Sequence, residues 1–212
     1  MKQVAHGPLL SNASGESADE ASLAALIPGA NAGDRVKMGK ILELLAPPML
    51  AVVKVILGPD HPDVLDVAQE SLIALKDALR IFRGEASPAQ YAKQVALRTA
   101  LSARRRSRFR EQRLEEWRRD SIDVPQIGPG EESFMRTRRA ALFRQLLDEL
   151  PHVQAESFAL RVVLDYSLPQ VALATGAPLN TVRSRVRLAK EKLKRRIEGD
   201  PNLRDALKGG ER

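Results

Sequence analysis

The sequence predicts an all-α protein made of two small helical domains joined by an irregular linker. Apolar residues recur at spacings of three and four along most of the chain, which is the period of an amphipathic helix. Stretches of alternating apolar and polar residues, the signature of half-buried strands, are not apparent. A segment over 120–135, with two prolines, two glycines and no basic residue, separates two basic blocks.

The expected domain boundaries follow the distribution of charge. Residues 34–119 hold 17 basic and 11 acidic side chains, and residues 136–198 hold 13 and 6. Outside these two domains we expect a mobile N-terminal arm over 1–33, the linker over 120–135 and a tail over 199–212. A net charge of +7 and a pI near 10.0, concentrated in two blocks, favour polyanionic partners.

Composition argues against several function classes. The chain has no cysteine, which excludes disulfides and thiolate metal sites, and its 3 histidines are far apart, so we expect neither a metal nor another cofactor. Walker, GxGxxG, GxSxG and HExxH motifs are absent, so we do not expect an enzyme. Without a long apolar run or a leader, the protein is expected to be cytoplasmic, with no membrane insertion.

The N-terminal domain is predicted to contain three helices. The first spans 38–57 and is expected to be kinked or divided at Pro47 and Pro48. The second spans 62–82. Its predicted buried side consists of Leu65, Ala68, Leu72, Leu75, Ala78 and Leu79. A loop with glycine and proline follows over 82–88, and its proline can open the third helix.

The C-terminal domain is predicted to start with helices over 134–150 and 152–165, separated by Pro151. A helix-turn-helix follows over 167–197. Ser167 can cap its first helix with Gln170 in a capping box, and Gly176 ends that helix. The stripe of the second helix that faces the core is Val182, Val186, Ala189, Leu193 and Ile197.

The second helix of this motif is strongly basic, and its first turn is placed to enter the major groove of DNA. A basic helix is often only a solvated face, but the capped helix and the glycine turn before it favour DNA binding. The later basic residues, Lys194 to Arg196 among them, would hold phosphates, or serve only solubility and the helix dipole. The candidate DNA-binding residues are Asn180, Thr181, Arg183, Ser184, Arg187 and Lys190.

Residues 147–193, including LDELP and TVRSR, are similar to region 4 of bacterial sigma factors of the extracytoplasmic-function (ECF) class in the sigma-70 family. Residues 66–88, DVAQESLIALKDALRIFRGEASP, are similar to region 2 of the same family. The resemblance implies that the chain binds core RNA polymerase and promoter DNA, with region 4 on the −35 element and region 2 on the −10 element. It also makes an anti-sigma factor a candidate partner.

The resemblance assigns roles within region 2. Asp66, Gln69 and Glu70 match the motif that docks on polymerase, and their spacings of three and four put them on one helix face. The loop that captures a flipped −10 base would include Phe82, Gly84, Glu85, Ala86 and Ser87, although Phe82 also fits a core position. The −10 contacts of the next helix would come from Arg98, Arg104 and Arg105.

This chain departs from the family in region 2. Tyr91 stands where the family usually has Trp, and Leu97 and Arg98 stand at the Arg-Asn positions. Either the −10 element is unusual or DNA melting relies on other contacts. The main alternative function is a stand-alone helix-turn-helix repressor or activator with a helical sensor or dimerisation domain. A third is a helical protein that binds RNA or acidic partners through its basic faces.

Overall fold

The computed structural model of the chain describes residues 16–84, 86–115, 140–141 and 143–199. Every regular element in these ranges is helical, which confirms the all-α prediction. The predicted linker over 120–135 lies outside the described residues. The elements are α1 (Glu16–Asn31), α2 (Arg35–Leu57), α3 (Val64–Ala78), a 3₁₀ turn (Leu79–Ile81), α4 (Pro88–Glu115), α5 (140–148, residue 142 not described), α6 (His152–Val162), α7 (Leu168–Thr175) and α8 (Leu179–Gly199).

The mobile arm predicted over 1–33 is wrong for residues 16–31, which form α1; residues 1–15 lie outside the described residues. Leu23, Ile27 and Ala30 are buried on one face of this helix, which packs on α2. The side-chain amide of Asn31 donates to the carbonyl oxygen of Leu79 at 2.9 Å. A few apolar residues suffice here because their spacing aligns them on the face that meets α2.

Helix α2 begins earlier than the sequence predicted because Asp34 caps it. The Asp34 carboxylate accepts backbone N–H bonds from Val36 at 3.0 Å and Lys37 at 3.1 Å. The bond from the backbone of Lys37 is the main reason that the pKa of Asp34 is lowered. The charged carboxylate of Asp34 therefore stabilises the first turn of α2.

The two prolines in α2 do not divide it, contrary to one of the two predicted outcomes. Pro47 and Pro48 both lie inside the continuous helix. Proline has no backbone N–H, so the carbonyls of Glu43 and Leu44, four residues earlier, receive no hydrogen bond within the helix. Glu43 and Leu44 are exposed, so water can hydrogen-bond to their carbonyls. The opposite face of the helix, which includes Ile41, stays in the core.

The buried face of α3 agrees with the predicted one in part. Leu75 and Leu79 are buried as predicted, and Ala68 and Leu72 pack partly buried against the core, but Leu65 is 72% exposed. The prediction missed the core positions Val64, Val67 and Ser71. Because Ser71 is a polar residue at a core position, a search for apolar residues at helical spacing does not find this part of the buried face. The Ser71 hydroxyl donates to the Val67 carbonyl at 2.7 Å, which satisfies the buried polar group.

Helix α4 packs against both α2 and α3 and completes the N-terminal core. Ala92, Ala96 and Ala100 are fully buried, and these small side chains allow the helix backbones to approach closely. In the C-terminal half, α6 and α7 pack on α8. The predicted stripe of α8 is confirmed, with four buried residues, Val182, Val186, Ala189 and Leu193, and Ile197 partly buried.

Glycine to alanine at position 176 is expected to destabilise the protein by about 1 kcal/mol, because Gly176 has a φ of +64° and ends α7 in the left-handed conformation. Gly39 provides the matched control, since it is an exposed residue within α2 and a Cβ there would meet nothing within 4 Å. Gly39→Ala should stabilise the protein by roughly 0.5–1 kcal/mol. Urea denaturation of both variants checks the prediction, and equal effects of the same sign would contradict it.

Candidate nucleic-acid interface

The helix-turn-helix is built by local hydrogen bonds at each of its ends. Ser167 accepts from the backbone N–H of Gln170 at 3.3 Å, and the Gln170 side chain accepts from the backbone N–H of Ser167 at 2.8 Å. This is the predicted capping box, and the left-handed Gly176 ends α7 as predicted. Helix α8 starts three residues after this glycine, at Leu179.

The six residues predicted to contact −35 DNA are all exposed on α8. Two of them are linked to each other, since Arg183 donates through Nη1 to Asn180 Oδ1 at 3.1 Å. Arg187 donates to Glu191 Oε1 at 2.7 Å in an exposed pair one turn apart. The first turns of α8 therefore present amide, hydroxyl and guanidinium groups to solvent, which are the groups that hydrogen-bond base edges and phosphates.

The basic residues near the end of α8 have a structural role as well. Lys192 donates through Nζ to the backbone carbonyl of Glu149, and Arg196 donates through Nε to Glu149 Oε1 at 3.0 Å. Lys194 lies 3.7 Å from Glu198 in an exposed pair. Two of these cations thus join α8 to the end of α5, which sequence spacing did not indicate.

The loop predicted to capture a flipped base is held at both ends. The Phe82 and Tyr91 rings lie 4.9 Å apart between centroids, and Phe82 packs partly buried against the core. Ser87 caps α4 by accepting the backbone N–H of Gln90 at 3.2 Å. Gly84 has a φ of +75° and Ala86 is half-buried, while Glu85 lies outside the described residues.

Two of the three arginines predicted to hold −10 DNA contact the C-terminal helices. Arg98 donates through Nε to Glu156 Oε1 at 2.7 Å and through Nη2 to the Ala174 carbonyl. Arg104 donates to both carboxylate oxygens of Asp148, at 2.7 and 2.5 Å. Arg105, in contrast, is exposed.

The residues predicted to dock on polymerase lie exposed on α3. Asp66 is in the first turn of the helix, and Gln69 is exposed beside it. Glu70 accepts from Arg106 of α4 at 2.9 Å, in a pair whose side chains are about half exposed. The structure therefore presents all three on the surface, as a docking face requires.

Leu65 and Ile73 extend this face, and the sequence analysis missed them. They are 72% and 58% exposed and stand four residues before and after Gln69. Both therefore add exposed apolar area to the helix face that carries Gln69. Apolar spacing did not reveal Leu65, because the predicted buried side of the helix included it.

A further contact between the two halves involves Tyr166. Its hydroxyl donates to the backbone carbonyl of Gln90, in the first turn of α4, at 2.8 Å. The turn that presents it contains Asp165, which has a left-handed φ of 54°. Burial raises the pKa of Tyr166 to about 12, since the neutral hydroxyl is favoured away from water.

Tyr166→Phe is expected to remove the tyrosinate absorbance component that titrates near pH 12 in the wild-type chain. Because the folded-state pKa is raised, this group contributes stability below pH 10 and loses it as the pH rises toward 12. Near-ultraviolet titration of both proteins provides the measurement. A high-pH component that persists unchanged in Tyr166→Phe would contradict the assignment.

Within the described ranges, no helix is long and apolar enough to cross a membrane. The same residues contain no group of three or more histidines and carboxylates placed to hold a metal ion.

Comparison with known proteins agrees with this geometry. Residues 140–193 match the family model of sigma-70 region 4. No curated protein sequence matches the chain significantly. Among solved structures, the chain is similar to CnrH in complex with the cytosolic domain of CnrY, with 19% identity and a TM-score of 0.52, over 87% of this chain and 99% of that one.

It is also similar to the sigma factor RpoE of Bartonella quintana, solved in complex with the anti-sigma factor NepR. The identity is 22% and the TM-score 0.50, over 76% of this chain and 97% of that one. Residues 140–193, which run from α5 to α8, are similar to sigma-70 region 4, and the chain has the helical fold of these two structures.

Proposed function

We propose that this protein is a sigma factor of the ECF class, which binds core RNA polymerase and directs promoter-specific initiation of transcription. The observation that carries the proposal is the region 4 match over a helix-turn-helix whose first recognition turn is exposed and basic. Polymerase supplies the catalysis, and this chain supplies the promoter address. Since its partners act in the bacterial cytoplasm, we place it there.

In this proposal, the −35 and −10 promoter elements bind to separate surfaces of the protein. Helix α8 reads the −35 element through Arg183 and its neighbours, and the turn before α4 together with Arg98 and Arg104 contacts the −10 element. The domain boundaries of the proposal are 34–119 for the −10 and polymerase-binding unit and 136–198 for the −35 unit. The cationic residues on both surfaces favour this division of the DNA contacts.

Polymerase docking is assigned to the exposed face of α3. Asp66 and Gln69 supply hydrogen-bonding groups and Leu65 and Ile73 supply apolar area, a combination that protein interfaces use. Arg106 restrains Glu70 on the same face. Because RpoE of Bartonella quintana was solved with the anti-sigma factor NepR, we also propose an anti-sigma partner for this chain.

Arg183→Ala and Arg187→Ala should each lower run-off transcription from a cognate promoter by roughly 5- to 150-fold, since a bidentate arginine contributes about 1–3 kcal/mol of base discrimination. Lys194→Ala serves as the control on the same helix. It should weaken DNA binding uniformly across sequences and reduce the salt dependence by about one phosphate contact. Normal transcription by both arginine variants would show that the recognition turn is misassigned.

Asp66→Lys should impair assembly with core polymerase while leaving DNA contacts of the free chain unaffected. The reason is that a lysine reverses the charge in the first turn of α3, on its exposed face. Co-purification with core enzyme measures assembly. Asp77→Lys, an exposed site on the same helix, controls for charge alone.

The same co-purification tests the proposed function as a whole. A sigma factor forms a stable complex with core polymerase and initiates transcription from its promoter. A stand-alone repressor or activator forms no such complex and binds an operator tightly without it. That second outcome would overturn the proposal.

A further inference from the structure

A cavity of about 440 Å³ lies beside the C-terminal part of α4, next to the first residues of α6. This volume falls in the range of small-molecule sites, roughly 300–1,000 Å³. Buried apolar side chains line its floor, and they are Leu101, Leu147, Leu150 and Ala155. The interior therefore suits the apolar body of an organic molecule better than a hydrated inorganic ion.

The polar lining of the cavity is mostly basic. Three arginines of α4 and the first residue of α6 line it, against one carboxylate, that of Asp148. Arg104 binds both oxygens of Asp148, at 2.7 and 2.5 Å, so this carboxylate is already neutralised within the cavity wall. The basic residues that remain are Arg105, Arg108 and His152. This surplus of positive charge favours a ligand with an anionic group.

Arg108 is half-buried and only partly satisfied by the protein. Its Nη1 donates to the backbone carbonyl of Asp148, which holds the guanidinium against the end of α5. Among the residues that the structure describes, its other N–H groups have no acceptor. A guanidinium that is restrained but keeps free donors binds the paired oxygens of an anion, because its planar fork matches their spacing.

Phe109 places an accessible aromatic ring beside these cations. The ring is 54% exposed, and the Arg105 guanidinium lies over it, 5.5 Å from its centroid. This cation–π contact restrains the ring and leaves much of it open. Phe82 and Tyr91, the other aromatic residues in the described part of the N-terminal half, pack on each other. Phe109 is therefore free to stack on the flat ring of a ligand.

The spacing along α4 brings these groups to one face of the helix. Leu101, Arg105 and Phe109 are each four residues apart, and Arg108 lies seven residues after Leu101. The apolar floor, the aromatic ring and the cations are thus neighbours within one site.

We propose that this cavity binds a small organic anion that carries a flat aromatic ring. The ligand ring packs between Phe109 and the apolar floor, and its anionic group accepts hydrogen bonds from Arg108, with His152 beside it. Arg105 holds Phe109 in place. A carboxylate and a phosphate both offer paired oxygens to a guanidinium, so the ligand class is an aromatic acid. This site goes beyond the proposed function, since it needs neither promoter nor polymerase.

The test uses the full chain without DNA, and the probe is anilinonaphthalene sulfonate, an aromatic anion whose fluorescence rises in apolar surroundings. Titration is expected to saturate at one site per chain. Naphthoate and naphthyl phosphate should displace the probe, and the stronger competitor shows which anion the site prefers. Naphthol lacks the charge and inorganic phosphate lacks the ring, so each should compete about tenfold less well.

Phe109→Ala and Arg108→Gln should each weaken probe binding about tenfold, through loss of the stacked ring and of the charged donors. Phe109→Trp keeps a flat ring and should bind within about twofold of wild type. Leu188→Ala is the control for lost apolar area, since Leu188 is an exposed residue of α8 outside the cavity. Arg106→Gln is the control for lost charge, since Arg106 is exposed on α4 and does not line the cavity. Both controls should keep wild-type affinity.

Wild-type affinity in Phe109→Ala or Arg108→Gln would overturn the inference, as would an equal loss in the two controls. Displacement by naphthol as strong as that by naphthoate would also overturn it, because the site would then not select an anion. If circular dichroism shows lost helicity in Phe109→Ala, Phe109→Leu gives the same comparison.

The site and the proposed function fail separately in these experiments. A chain that never assembles with core polymerase but binds the probe through Phe109 and Arg108 keeps the site and refutes the sigma-factor role. A chain that assembles and transcribes, but binds the probe no better than Phe109→Ala does, refutes the site alone.

Discussion

The packing of α4 is the constraint on which the rest of the molecule depends. Its fully buried alanines, Ala92, Ala96 and Ala100, fix the rotation of the helix against α2 and α3. Once that rotation is fixed, the stripe that includes Gln94 and Arg98 must point away from the N-terminal core. The C-terminal helices meet this stripe through hydrogen bonds and ion pairs, so one helix links a tightly packed core to a polar interface.

The sequence predicted the helix-turn-helix well because its boundaries are set by local chemistry. Ser167, Gln170 and Gly176 act within three or four residues of themselves, and the apolar stripe of α8 is uninterrupted. In α3 the prediction was wrong at Leu65, which is exposed, and it missed the core position of Ser71, because a polar residue is not found by apolar spacing. Helix α1 was missed because its apolar cluster is short and its neighbours are polar.

Some features of the candidate site could be predicted from the sequence and others could not. Exposure of Arg183 and its neighbours follows from the stripe on the opposite side of α8, so it could be predicted from spacing alone. The partners of Arg98 and Arg104 could not, because Glu156 and Asp148 lie 58 and 44 residues away along the chain. Local periodicity carries no information about such pairings, which depend on how the two halves come together.

The adjacent carboxylates at the end of α5 have separate consequences. Asp148 forms an ion pair with Arg104 of the N-terminal half, and Glu149 forms one with Arg196 of α8. A substitution at Asp148 can therefore change the contact between the halves without changing the ion pair that holds α8. A single conservative exchange at Asp148 would weaken the contact between the two halves and leave the ion pair that holds α8 in place.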